Sequence, residues 1–90
     1  MAEVTFVFKE FETILPIERT VSMENICQKY SHFINIPLKN LYFFYKANKL
    51  DLKLSFNDIA KEEDKITGKI EIFTLLNEEQ IDLIEKEKNE

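Results

Sequence analysis

Gly68 is the only glycine in the 90 residues, and the chain has one cysteine, two prolines and no tryptophan. With glycine this scarce, no Gly-rich loop can cradle a phosphate and no G-x-S-x-G nucleophile elbow can form. The lone Cys27 excludes an internal disulfide and any site built from several thiolates. It fits a reducing compartment, so cytosol or nucleus is the expected location. No apolar run approaches the roughly 20 residues of a membrane-spanning helix. The start "MAEVTFVFKEFE" reads neither as a signal peptide nor as an Arg-rich transit segment. An excess of basic charge is missing too: 12 Lys and Arg stand against 17 Asp and Glu, giving a net charge of −5. The lysines are scattered rather than striped, so neither a nucleic-acid nor a membrane partner is expected.

What is there belongs to a folded chain. Hydrophobic residues make up 44% and charged residues 32%, with 8 Phe and 3 Tyr. That is the composition of one small globular domain with a single core.

Val4, Phe6 and Phe8 alternate with Thr5, Val7 and Lys9, which predicts a strand over 3–9. A polar turn around Lys9 to Glu12 leads to a second alternation from Thr13 to Glu18, so the two form a hairpin. Pro16 has no amide to donate and belongs at an edge or a bulge. Ser22 is a good N-cap, and Met23, Ile26, Cys27, Tyr30 and Ile34 follow at helical spacing, predicting an amphipathic helix over 23–34. Pro37 ends it. In "IPLKNLYFFYKANKL" the strand that follows carries rings at all of Tyr42, Phe43, Phe44 and Tyr45, before "KANK" turns the chain back. "LDLKLS" then leads to "FNDIA", whose Ile59 is expected to plug the core. "KEEDKITGK" reads as a charged, solvated loop, and "IEIFTLL" as the last strand, with Ile70 and Ile72 on one face and Glu71 and Phe73 on the other. Asn77 to Gln80 has the residues of a capping box, predicting a short final helix over 78–88 that carries Ile81 and Ile84 on one side.

Residues that could carry chemistry are few. Cys27 and His32 lie on one predicted helix but are not stacked neighbours, and Cys27 shares the apolar face. Glu62, Glu63 and Asp64 lack the alternating ligands and turn glycine of a calcium loop. No catalytic residue, metal site or cofactor is expected, and the chain is too small for a substantial pocket.

The order strand, strand, helix, strand, short strand, strand resembles the ubiquitin-like β-grasp family over residues 3–76, an α+β fold with a mixed four- to five-stranded sheet packed on one helix. The resemblance is closest from Ser22 to Leu50, through "SMENI", "NIP" and "LYFFYKANKL"; "LSFNDI" and "IEIFTLL" continue it, with a few extra residues between them. It implies a ubiquitin-like domain over 1–76 and an extension over 77–90. Conjugated members end in Gly-Gly, whereas no glycine follows Gly68 here, so covalent attachment is not expected. Ala47 stands where the family has a turn glycine, and Asn48 where ubiquitin has a chain-forming lysine.

In this fold one sheet face packs on the helix and the other meets solvent, so Phe43 and Tyr45 share the core face, and Tyr42 and Phe44 the outer one. The family's partner-binding patch lies on that outer face. The resemblance puts Phe44 at the patch's central isoleucine and Phe73 at its valine, with Glu71 in place of a histidine and Phe11 near a loop leucine. Tyr42 and Lys46 flank them, and Lys46, Lys49 and Lys53 give either a basic rim that favours acidic partner motifs or a merely solubilising fringe. Two other readings compete. The final helix could rest Ile81, Leu83 or Ile84 on Phe44 and Phe73, or a different register could place the rings in the core.

The expectation is a monomeric, non-catalytic interaction module of the ubiquitin pathway kind, docking protein partners around Phe44 and Phe73. Met1 and the run-out at Glu90 read as the N-terminal domain of a longer protein. The alternative is a small structural subunit permanently buried in an assembly.

Overall fold

The computed structural model describes residues 2–77, so the predicted helix over 78–88 lies outside the described residues. Strand β1 (Ala2–Phe8) alternates buried Ala2, Val4 and Phe6 with more exposed Glu3, Thr5 and Val7. It pairs antiparallel with β2 (Phe11–Ile17), Phe8 opposite Phe11 and Ala2 opposite Ile17. Only Lys9 and Glu10 remain in the turn, two residues fewer than the sequence reading assigned. Lys9 takes a φ of 56°, the left-handed conformation that glycine would adopt more cheaply.

Helix α1 (Met23–Ile34) runs over the predicted residues. The Ser22 hydroxyl accepts from the Asn25 amide at 3.4 Å, and Met23, Ile26, Cys27 and Tyr30 are buried. The helix stops before Pro37 because Asn35 turns left-handed at φ 59°, and the Asn35 and Ile36 amides donate back to His32 and Ser31. A 3-10 turn at Leu38–Asn40 then delivers the chain to β3 (Leu41–Tyr45). Lys46 and Ala47, at φ 48° and 69°, close a tight hairpin onto β4 (Asn48–Lys49). Two positive φ values in a two-residue loop are those of a type I′ turn.

Helix α2 (Phe56–Ile59) corrects one expectation: Phe56, fully buried, plugs the core, and Ile59 only packs against its margin. Asp58 accepts from the Ser55 amide at 2.9 Å and its hydroxyl at 3.0 Å, which holds the Asp58 carboxyl below its ordinary range. The segment expected to be a solvated loop is helix α3 (Glu62–Thr67). Its acidic residues sit in the first turn and Lys65 in the last, both favourable to the helix dipole, and Gly68 caps it at φ 73°. Strand β5 (Lys69–Leu76) then enters between β1 and β3, parallel to the first and antiparallel to the second.

The five-stranded sheet has the order β2-β1-β5-β3-β4, leaving Pro16 on an edge strand. Its core holds one aromatic cluster. The Phe6 ring stacks on Tyr30 of α1 at 4.1 Å and 7°, and Phe43 meets them edge-on at 6.0 and 6.4 Å.

Phe6→Ala should lower unfolding stability by about 3–5 kcal/mol, a large share of what a domain of this size has. Ala47→Gly should raise it by about 0.5–1 kcal/mol by relieving a left-handed alanine. Urea denaturation of both variants against the wild type checks the two signs.

Candidate partner-binding face

The strand registers place the outer-face residues. One row crosses the sheet from Glu12 through Val7, Phe73 and Phe44 to Lys49. Beside it, Leu75 lies opposite Tyr42. On the other side Ile14, Thr5 and Glu71 are neighbours. Phe73 is 48% exposed and Leu75 56%, while Phe44 and Tyr42 are half-buried by their neighbours. The Lys49 ammonium stands 5.1 Å from the centre of the Tyr42 ring. Phe44, Phe73, Tyr42 and Glu71 therefore share one face, and Phe43 and Tyr45 are buried on the other.

Phe11 is not with them. The short turn pairs it with Phe8, which puts it on the helix side of the sheet, 71% exposed at the hairpin tip. The basic rim is also smaller than expected. Lys53 lies in the segment after β4, where its amide donates to Asp51. Lys46 turns its ammonium toward α3, 3.5 Å from Glu63 and 3.6 Å from Asp64.

That ion pair belongs to a latch that α3 makes with the sheet. The Tyr45 hydroxyl donates to the Asp64 carboxylate and accepts from the Lys61 amide at 3.0 Å. Burial, then the bond to Asp64 and the nearby carboxylates, pushes Tyr45 from the ordinary 10 up to about 12. Between α3 and the outer face lies an open cleft of about 490 Å³, roomier than the chain length alone predicts, lined by Lys46, Asp64, Thr67, Lys69, Glu71 and Phe73 among others. The latch could not be read from hydrophobic spacing, which says nothing of where charged side chains turn.

Cys27 is fully buried, and burial pushes its thiol up to about 12, so it is not poised as a nucleophile at neutral pH. His32 is exposed on α1.

The strand order, the single long helix across one face and the parallel pairing of β1 with β5 decide the architecture. The chain has the ubiquitin-like β-grasp fold. The ubiquitin-like domain of the Arabidopsis thaliana protein At2g32350, solved by NMR, superposes with a TM-score of 0.70 at 22% identity, over 84% of this chain and 77% of that one. A second NMR structure of At2g32350 gives 0.67 at 25% identity, over 83% and 84%. A crystal structure of ATBAG1 in complex with HSP70 gives 0.71 at 14% identity and covers 98% of this chain but 48% of that one. The chain thus spans about half the length of the ATBAG1 chain. No family model matches it, and no curated protein sequence does. Against the ubiquitin-like pattern expected from the sequence, the extra residues before the last strand are α3, and the outer face is the one that carries Phe44 and Phe73.

Tyr45 binds its proton more tightly in the folded chain, so its contribution to stability is full below pH 10 and is lost as pH rises toward about 12. Tyr45→Phe should start less stable at neutral pH, having lost the latch, and should lose less stability across that alkaline window than the wild type. Denaturation midpoints measured from pH 8 to 12 decide it.

Proposed function

We propose that this chain is a non-catalytic protein-interaction module that docks partners through the outer face of its sheet, around Phe44 and Phe73. The observation that carries the reading is the pairing of exposed Phe73 and Leu75 with Phe44 and Tyr42, on the face turned away from α1. An exposed apolar cluster of this kind on a small soluble fold marks an interaction site. Phe44 and Phe73 are the anchors, with Tyr42 and Glu71 at the margin and Lys46 set back in its ion pair. Phe11 takes no part, because its register puts it on the other side.

The ATBAG1 structure in complex with HSP70 supports a role among protein partners in general terms. Since the fold covers 48% of that chain, it also supports a module that serves as one domain of a longer protein. The reading places it in the cytosol or nucleus, with partners of the ubiquitin-receptor kind. Burying the cluster would yield about 4–6 kcal/mol gross before the cost of association. A single contact is then micromolar to millimolar, and avidity or a wider interface makes it useful.

Amide chemical-shift titration of the labelled chain with a panel of ubiquitin-binding modules tests this. Shifts should cluster on Tyr42, Phe44 and Phe73, and Phe44→Ala should weaken binding by about tenfold or more while keeping the native spectrum. Shifts confined to the α1 and β2 side, or none across the panel, would overturn it.

A further inference from the structure

The charges around the apolar cluster point to the kind of partner that fits it. Two carboxylates flank the cluster directly. Glu71 lies on β5 two positions from Phe73 and on the same face, about 7 Å along the strand. Glu12 ends the row that runs through Val7 to Phe73, about 10 Å away across two strand spacings. Among the described residues neither makes an ion pair.

The lysines do not balance them. The ammonium of Lys46 is already between Glu63 and Asp64, so that corner of the face carries net negative charge. On the same face, Lys69 sits opposite Glu3 in the β1–β5 register. Lys49 is left at the far end of the row, stacked over Tyr42. The outer sheet face, with the two α3 carboxylates that pair with Lys46, therefore holds Glu3, Glu12, Glu63, Asp64 and Glu71 against Lys46, Lys49 and Lys69, on a chain whose net charge is −5. At physiological salt, charges within about 8 Å are still felt.

From this we infer that the outer face binds a basic amphipathic helix, with apolar residues on the Val7, Phe73 and Phe44 row and Lys or Arg over Glu12 and Glu71. The inference rests on the docking reading above and reverses the acidic partner expected from the lysine count alone. A helix suits the row because Val7, Phe73 and Phe44 each have a strand partner on both sides, so an added strand finds no free backbone edge there. Its turns repeat about every 5.4 Å, close to the strand spacing of about 4.8 Å along the row.

The test uses two synthetic helical peptides with the same Leu and Phe face, one flanked by Lys and Arg and the other by Glu and Asp. Each is titrated into the labelled 90-residue chain at 50 and 300 mM NaCl. The expected result is that the basic peptide shifts Tyr42, Phe44, Phe73 and Leu75, binds tighter than the acidic one, and weakens with salt. Glu71→Lys and Glu12→Lys should each weaken it by about two- to fivefold, and Glu71→Gln by less. If the acidic peptide binds tighter at the same residues and Phe44→Ala abolishes it, the docking face stands and the basic partner is wrong. If neither peptide shifts those residues, while modules of the wider panel do, the helix inference fails alone; if nothing in either set moves them, both readings fall.

Discussion

The stacking of Phe6 on Tyr30, with Phe43 edge-on to both, is the contact on which the rest of the arrangement depends. It joins α1 to two strands that are not neighbours in sequence and fixes which residues of each strand point inward. A strand has only two faces, so the parity follows along its whole length. With Phe6 inward, Val7 must go out; with Phe43 inward, so must Tyr42 and Phe44. Strand β5, paired to both, then has Ile70, Ile72 and Thr74 buried and Glu71, Phe73 and Leu75 outside. The exposed cluster is thus the necessary complement of the aromatic core.

A second constraint is the scarcity of glycine. Lys9, Asn35, Lys46 and Ala47 all adopt positive φ without it, and Gly68 is spent on the end of α3. The Lys46–Ala47 turn has an electrostatic consequence. It brings the Lys46 ammonium within reach of Glu63 and Asp64, and the Tyr45 hydroxyl joins the same cluster. The segment that lengthens the chain before its last strand therefore pairs the Lys46 ammonium with carboxylates at the margin of the outer face. Local backbone strain and the charge of the outer face are linked through these few residues.

Much of this was legible in the sequence because it rests on periodicity. The Ser22 cap and the Met23, Ile26, Cys27, Tyr30 spacing located α1, and alternation in β3 and β5 separated Phe44 and Phe73 from the core. What was not legible depends on turn length and on where long side chains go. A hairpin without glycine gives no sign that only Lys9 and Glu10 form the turn, so Phe11 reads as a turn residue near the patch and not as the first residue of β2, on the helix side. Helix α3 did carry a signal, in its acidic first turn, late Lys65 and glycine cap, but the density of charge read as a loop. Both Phe56 and Ile59 are apolar in "FNDIA", and spacing alone did not show that the first one enters the core.

The core cluster leaves one aromatic face of the sheet open to solvent. The most direct measurement is the relaxation of side-chain proton signals of the 90-residue chain by a neutral paramagnetic cosolute. Strong broadening is expected at Phe73 and Leu75, intermediate broadening at Phe44 and Tyr42, and none at Phe6, Phe43 or Ile72. Protection of Phe73 and Leu75 to the level of Phe6 and Ile72 would contradict it.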